Sequence, residues 1–162
     1  MNYLVSTVIC GVGATAVMDL WGVARKSLFG IAVPDYGLVG RWFAHMTHGQ
    51  FHHPAIASSP AVDGERLIGW TVHYLIGIAF AAVLAGIWGP AWFEQPTIGP
   101  ALMVGAGTVA APFLLMQPGM GAGIAASRTP RPGFARFQSV ITHAVFGLGL
   151  YISGGAAHLL QL

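Results

Sequence analysis

Four long apolar runs, separated by shorter polar or glycine- and proline-rich segments, organise this chain of 162 residues. Each run has about the 20 residues that an α-helix needs to cross the hydrocarbon core of a bilayer. None alternates apolar and polar positions as a membrane β-strand does. The pattern predicts an all-α membrane protein: one domain over residues 1–162, a four-transmembrane-helix bundle with helices at about 3–24, 67–88, 98–117 and 137–160.

A shorter amphipathic segment lies between the first two runs, at about residues 36–48. Its apolar residues share one helical face, with three polar residues on the other. The apolar face carries Leu38, Val39, Trp42, Phe43 and Met46, and the polar face carries Arg41, His45 and His48. Because a helix of this kind and length lies in the membrane surface, we expect an interfacial helix here and a loop from Gly49 to Gly64.

The third run contains helix-breaking residues. Pro112 interrupts it, and the run ends in a glycine-rich stretch from Gln117 to Gly123. Proline removes one backbone donor and disturbs the preceding turn. At membrane depth, such a broken end is tolerated only where protein or water satisfies the freed carbonyl groups. We therefore expect exposed carbonyls beside Met116, Gln117 and Met120.

Composition supports a membrane location. The chain is 55% hydrophobic and only 7% charged, whereas soluble domains have about 25% charged residues. Its 23 glycines suit membrane helices, where small residues allow close backbone approach. One hypothesis for the chain is therefore an accessory or assembly subunit of a larger membrane complex or a homo-oligomer. In that case partner helices pack on three small-residue faces: Gly77 with Ala81, Gly147 with Tyr151, and Gly154 with Gly155. The single cysteine, Cys10, excludes an internal disulfide and is expected to be buried and inert.

Basic residues predict the topology. All seven lie between the first and second or the third and fourth predicted helices: Arg25, Lys26, Arg41, Arg66, Arg128, Arg131 and Arg136. By the positive-inside rule both segments, and with them the interfacial helix, are cytoplasmic, and both termini face outward. No basic residue precedes the first run, which predicts a retained helix rather than a cleaved signal peptide. Basic residues spread along membrane edges also argue against binding to nucleic acid.

Three ionisable residues lie at one predicted depth. Asp19, His73 and His143 are six or seven residues from Arg25, Arg66 and Arg136, which places each roughly 9 to 10 Å from the cytoplasmic edge. An ionisable group at membrane depth is a functional candidate by default. Thr15, Met116, Gln117 and Met120 are the candidate supporting residues.

This predicted Asp-His-His centre has four interpretations. Two histidines and a carboxylate suit a transition-metal ion. Without metal they form a proton site. Two histidines alone are the axial ligands of a b-type haem. The fourth interpretation is adhesion between helices, at about 0.6 kcal/mol for each polar contact.

A second histidine group is His45, His48, His52 and His53. The first three share a face if the helix continues past Gly49, which is a ligand-like spacing for a surface metal ion. On a membrane surface the same residues also suit lipid headgroups. No nucleophile triad, phosphate-binding loop or dinucleotide fingerprint is present, so nothing in the sequence predicts a catalytic residue.

Five stretches carry a resemblance to a known family: ATAVMDLWG, DYGLVGRWFAHM, GERLIGWTVHYLIGIAFA, MVGAGTVAAPFLLMQPGMGAGIAASRTP and THAVFGLGLY. Together they resemble the bacterial inner-membrane family named domain of unknown function 2938, over nearly the whole chain. The resemblance implies a four-helix bacterial inner-membrane protein, with periplasmic termini given the basic residues above. It implies no activity, cofactor or catalytic residue.

Overall fold

A computed structural model describes residues 2–159, and its regular structure is helical. The helices are α1 (Tyr3–Phe29), α2 (Tyr36–Met46), α3 (Glu65–Trp88), α4 (Ala91–Glu94), α5 (Ile98–Gly107), α6 (Gln117–Gly119) and α7 (Pro132–Leu159). Among the described residues there is no β-strand. The prediction of an all-α chain is confirmed.

Four helical segments are long and apolar enough to cross a membrane: Tyr3–Phe29, Glu65–Trp88, Ile98–Gly119 and Pro132–Leu159. They confirm the number and order of the predicted spans. The first is longer than predicted and ends only at Gly30, whose φ of 65° lets its N–H bond back to the Arg25 and Lys26 carbonyls. The last begins earlier, at Pro132, because proline is favourable at the first helical position. Its predicted end at Leu160 lies outside the described residues.

The third span is interrupted, as predicted. Regular α5 ends at Gly107, a π-helical turn follows at Pro112–Met116, and α6 ends at Gly119. Pro112 has no N–H to continue the α-helical pattern. The amide of Gln117 instead bonds to the Pro112 carbonyl, five residues back. Proline therefore produces a π-turn, and the glycine-rich loop begins only after it.

The chain divides into two compact units. The first comprises residues 1–33, 74–108 and 140–162, and the second residues 34–73 and 109–139. The expectation of a single domain stays a prediction.

The first unit has an apolar core to which all four spans contribute. It includes Cys10, Leu84, Trp92, Val104 and Phe146. Cys10 is fully buried, as expected, and its thiol lies 3.3 Å from the Leu150 carbonyl oxygen. The core is thus built from the same runs that were predicted to span the membrane.

Glycines of the first unit let the helix backbones touch. A Cβ atom at Gly77 would lie 3.3 Å from the Gly11 carbonyl oxygen, and one at Gly147 would lie 3.3 Å from the Gly105 Cα. At Gly154 it would lie 2.6 Å from the Trp92 ring. These glycines pack against other helices of the same chain, as membrane helices do where small residues meet. Gly77, Gly147 and Gly154 therefore contact other helices of this chain, and the packing of partner helices on the three faces stays a prediction.

The second unit contains α2, the loop after it, the first turns of α3 and the interrupted end of the third span. Helix α2 crosses α3 closely, since a Cβ at Gly40 would lie 2.6 Å from the Gly69 nitrogen. The helix ends at Met46 instead of His48, and Gly49, with φ of 78°, turns the chain away. Trp42 is only 7% exposed and packs on Gly119. Its indole therefore contacts protein, where we had expected it on a lipid-facing surface.

Candidate polar sites

Asp19, half-buried on α1, accepts a hydrogen bond from the Tyr74 hydroxyl. Tyr74 Oη lies 3.1 Å from Asp19 Oδ2, and both residues belong to the first unit. A phenol that donates to a carboxylate stabilises its ionised form. Asp19 is thus held by a side chain from another span.

His143, on α7, contacts Thr108 in the same unit. Thr108 Oγ1 lies 2.6 Å from the Gly105 carbonyl oxygen and 2.9 Å from His143 Nδ1. A carbonyl can only accept, so the single hydroxyl proton of Thr108 is used on Gly105. His143 Nδ1 must then donate to Thr108, and the lone pair of a neutral ring lies on Nε2. Thr108 sets the tautomer of His143.

His73 lies among aromatic rings of the second unit. It stacks on Tyr36 with ring centroids 4.1 Å apart, and it meets Trp70 edge-on at 5.9 Å. Trp70 in turn lies 4.5 Å from Tyr36. The aromatic neighbours therefore pack around the His73 imidazole, and its two ring nitrogens, at the ring edge, are the atoms that can form hydrogen bonds.

The structure gives no support to a metal centre formed by Asp19, His73 and His143. Across residues 2–159 no group of three or more His, Cys, Asp or Glu side chains could hold a metal ion. Asp19 and His143 belong to the first unit, and His73 to the second. Nothing in their contacts supports haem ligation either.

The candidate supporting residues have other contacts. The buried Thr15 hydroxyl donates to the Gly11 carbonyl of its own helix, at 2.8 Å. Met116, Gln117 and Met120 belong to the second unit, where the Met120 amide bonds to the Met116 carbonyl at 2.9 Å. Backbone groups near the break in the third span are thus hydrogen-bonded to neighbouring residues. The Met120 carbonyl accepts from the Ile56 amide at 3.1 Å.

Two members of the second histidine group lie together. The rings of His45 and His53 have centroids 5.0 Å apart, tilted by 47°. His45 Nε2 lies 3.1 Å from the Pro60 carbonyl oxygen, and His53 Nδ1 lies 2.9 Å from Ser59 Oγ. The predicted face of His45, His48 and His52 does not form, because the helix ends before Gly49. His53 is the histidine that joins His45.

Three buried polar atoms of the second unit have no hydrogen-bond partner among residues 2–159. They are His45 Nδ1, His53 Nε2 and Gln117 Oε1. Buried polar atoms are rarely left unpaired, since each costs roughly 1 to 3 kcal/mol. The loop that carries His53 runs beside α6, because the His53 amide donates to the Gly119 carbonyl at 2.8 Å. Each of the three atoms is therefore available to a ligand.

His48 and His52 are exposed, and the surroundings of His52 differ chemically from those of the His45–His53 pair. His52 lines an open cavity of about 330 Å³ together with Ser127 and Arg128. The cavity offers hydrogen-bond donors and positive charge, whereas the buried pair offers lone pairs. A cation therefore suits His45 and His53 and does not suit the cavity.

Sequence reasoning missed two site residues, Tyr74 and Thr108. Both are polar residues inside apolar runs, which was the available signal. Tyr74 directly follows His73, and its phenol was not considered as a partner for Asp19. A search for any side-chain donor within the spans, ionisable or not, would have found both.

The fold defines an all-helical protein with four helices capable of spanning a membrane and with polar side chains inside them. The chain belongs to the family described as protein of unknown function (DUF2938), which it matches over residues 8–157. The resemblance noted from the sequence is thereby confirmed. Comparisons with curated proteins and with solved structures find no match.

Proposed function

We propose that this chain is a small polytopic protein of the bacterial inner membrane in which Asp19 takes up and releases a proton. The observation that carries the proposal is the 3.1 Å hydrogen bond from Tyr74 Oη to Asp19 Oδ2. Asp19 is the only acidic residue of α1, a helix otherwise apolar enough to span a bilayer. Asp, Glu and His side chains within membrane helices mark proton relays and ion pathways.

A side-chain hydrogen bond reduces the cost of keeping a carboxylate in a membrane helix. Inserting an ionised Asp costs roughly 2.5 to 3.5 kcal/mol on insertion scales. A hydrogen bond to a charged group returns about 1.5 to 3 kcal/mol. The Tyr74 hydroxyl therefore offsets much of the cost of placing Asp19 in α1.

His143 adds a second group of the first unit that can bind a proton. Its Nδ1 donates to Thr108 at 2.9 Å, so a proton taken up by the neutral ring goes to Nε2. A carboxyl and an imidazole on separate spans are the components that a proton pathway needs.

Adhesion alone explains this arrangement less well. An Asn at residue 19 would bond to Tyr74 equally and would avoid the cost of inserting a charge. Polar contacts between membrane helices average only about 0.6 kcal/mol, which is less than that cost. An ionisable residue at position 19 is therefore better explained by proton exchange than by adhesion between helices.

The orientation we propose places the basic segments in the cytoplasm and both termini in the periplasm. Three of the seven basic residues lie between α1 and α3 or between α6 and α7: Arg41, Arg128 and Arg131. The other four lie at the adjoining helix ends, with Arg25 and Lys26 in the last turns of α1, Arg66 at the start of α3 and Arg136 near the start of α7. Asp19, six residues before Arg25, then lies nearer the cytoplasmic side.

The alternative function is that of an accessory or assembly subunit in a larger membrane complex or a homo-oligomer. It is weakened by the finding that Gly77, Gly147 and Gly154 pack within the chain itself. Glycines that remain open, with no atom within 4 Å of an added Cβ, include Gly86, Gly99, Gly107 and Gly155. The alternative is distinguished by the experiment below.

The test measures proton movement and carboxyl protonation on the same preparation. Purified protein in liposomes with an internal pH dye is given a pH step under a potassium-valinomycin clamp. Infrared difference spectra across the same pH range record the carbonyl band of a protonated carboxyl group. The variants are Asp19→Asn, Tyr74→Phe and the control Asp63→Asn, which removes an exposed carboxylate from the loop before α3.

We expect proton flux and a pH-dependent carboxyl band in the unsubstituted protein and in Asp63→Asn, and neither in Asp19→Asn. Tyr74→Phe should retain the band at a shifted pH midpoint. Equal flux and an equal band in Asp19→Asn would overturn the proposal. Absence of flux from the unsubstituted protein, with copurification of both it and Asp19→Asn in one larger complex, would establish the accessory function instead.

A further inference from the structure

We propose that His45 and His53 form a binding site for one borderline divalent transition-metal ion, such as Zn²⁺ or Co²⁺, in the second unit. The site is separate from Asp19, and it does not rest on the proton function proposed above. Its ligands are His45 Nδ1 and His53 Nε2, with the Gln117 side-chain oxygen as the third protein atom and water completing the shell.

The hydrogen bond of His45 determines which of its ring nitrogens carries the lone pair. Nε2 lies 3.1 Å from the Pro60 carbonyl oxygen, which can only accept, so Nε2 carries the proton. The neutral ring then has its lone pair on Nδ1, and Nδ1 is the buried atom without a partner. Metal-binding histidines almost always donate their other N–H to a carbonyl or carboxylate in this manner.

The second histidine is more deeply buried. His53 is 4% exposed, and its Nδ1 contacts Ser59 Oγ at 2.9 Å. When Nδ1 donates to the serine, Nε2 presents a lone pair. With the opposite tautomer, Nε2 would be a buried donor without an acceptor, which is costly. A cation bound at Nε2 gives this nitrogen a partner and favours the tautomer in which Nδ1 carries the proton.

The distance between the rings fits a shared ion. Imidazoles bound at about 2.0 to 2.1 Å to one tetrahedral ion have ring centres roughly 5 Å apart, because each centre lies about 3.2 Å from the metal. The observed separation is 5.0 Å, with a tilt of 47°. Imidazole ligands with an oxygen donor favour Zn²⁺, Co²⁺, Ni²⁺ or Cu²⁺ over Mg²⁺ or Ca²⁺.

The third ligand atom comes from α6, in the same unit. Gln117 Oε1 is buried and has no partner among residues 2–159. The His53 amide donates to the carbonyl of Gly119, two residues beyond Gln117. Two histidines and an amide oxygen leave a position for water, so the site differs from a group of three His, Cys, Asp or Glu ligands.

Arg41 holds the loop that orients both rings. Its guanidinium donates to the carbonyls of Ile56, Ala57 and Ser59 at 3.0 to 3.3 Å. Ser59 contacts His53, and the next carbonyl, Pro60, accepts from His45. The positive charge of Arg41 is balanced by Glu65, at 2.8 Å. The local charge thus does not repel a divalent cation, and the ligand positions are set before an ion binds.

The experiment uses the full-length protein in detergent, purified without a polyhistidine tag and stripped with a chelator. It is titrated with Co²⁺, followed by its visible absorption, and Zn²⁺ is then added in competition. The ligand variants are His45→Ala and His53→Ala. Exposed histidines of the same segment provide the matched controls, His48→Ala and His52→Ala. Asp19→Asn tests independence from the proton site.

We expect one equivalent of Co²⁺ with a tetrahedral or five-coordinate spectrum, displaced by Zn²⁺. Each ligand variant should lose at least about 100-fold in affinity, and Ser59→Ala about 10- to 100-fold, the range for residues that orient a metal ligand. The two control variants and Asp19→Asn should bind normally. The inference is overturned if no Co²⁺ binds, if the ligand variants bind as well as the unsubstituted protein, or if His48→Ala or His52→Ala abolishes binding.

A second measurement tests the site without His45→Ala or His53→Ala, in case these variants do not fold. Histidine ring ¹⁵N spectra of the unsubstituted protein are recorded before and after adding Zn²⁺, with His48→Ala and His52→Ala assisting the assignment. The geometry requires one ring bound through Nδ1 and one through Nε2. A spectrum in which no ring shifts, or in which only Nε2 atoms bind, would contradict it.

Discussion

The indole ring of Trp42 lies so close to Gly119 that no side chain fits at residue 119. A Cβ atom there would come within 2.6 Å of Trp42 Cζ2. The same indole donates to the Phe51 carbonyl at 2.9 Å, and the Gly119 carbonyl accepts from the His53 amide at 2.8 Å. Trp42 and Gly119 therefore tie the loop after α2 to the interrupted end of the third span.

Gly119→Ala should destabilise the protein by about 1 to 3 kcal/mol, because an added methyl group must displace the Trp42 ring. Thermal unfolding in detergent, followed by tryptophan fluorescence, measures the change. Gly86→Ala is the matched control, since nothing lies within 4 Å of its added Cβ. Alanine in that open helical position should be neutral or slightly stabilising. Equal effects of the two substitutions would contradict the Trp42 contact.

Arg41→Lys should loosen the loop between α2 and α3. Arg41 binds both carboxylate oxygens of Glu65 at 2.8 Å, which raises the pKa of Arg41 and keeps it charged. Lysine cannot reproduce this forked contact or the three carbonyl contacts made by the same guanidinium. Limited proteolysis within residues 47–64 should become several-fold faster. Arg66→Lys, at an exposed position, is the control and should leave the rate unchanged.

Tyr74→Phe should cost about 0.6 to 1.7 kcal/mol, the range measured for hydrogen bonds between membrane helices. The substitution removes only the hydroxyl that donates to Asp19. Combined with Asp19→Ala, which removes the acceptor of this bond, it should show non-additive stability in a double-mutant cycle by denaturant titration in mixed micelles. Tyr151→Phe, which alters an exposed tyrosine, supplies the baseline. Additive effects of the two substitutions would mean that the contact has no energetic weight.

Reporter fusions test the proposed topology. A periplasm-specific reporter fused after Leu162 should be active, and a cytoplasm-specific reporter inserted after Thr129 should be active, because the proposed orientation places the basic segment of Arg128 and Arg131 in the cytoplasm. The reciprocal pair of fusions should be inactive and serves as the control. Activity of the cytoplasmic reporter after Leu162 would reverse the orientation and move Asp19 to the periplasmic side.

The number and order of the spans could be predicted from the sequence because lipid imposes a local requirement. Every backbone group in the bilayer core must be bonded within the segment, so an apolar run of about 20 residues determines a helix. The break at Pro112 and the burial of Cys10 follow from equally local chemistry. The ends of helices were less accurate: Gly30 and Pro132 act as end signals several residues beyond the apolar runs.

The partners of the polar residues were decided by the tertiary structure. Depth along a helix is one coordinate, whereas the neighbour that a side chain meets depends on helix rotation and packing. Asp19 contacts Tyr74, and His143 contacts Thr108, and equal depth identified neither partner. His73 stacks on Tyr36, a residue of the short helix α2.

The His45–His53 pair forms because the chain reverses direction after α2, and the periodic pattern of apolar residues does not predict that turn. A helix continued past Gly49 would have aligned His45 with His48 and His52. The left-handed backbone of Gly49, with φ of 78°, turns the chain, and the Gly119 carbonyl then anchors His53 through its amide. A contact between residues separated by a turn is fixed by what the returning loop packs against. The sequence by itself therefore determined which residues could bind a ligand, and long-range packing decided that His45 and His53 meet.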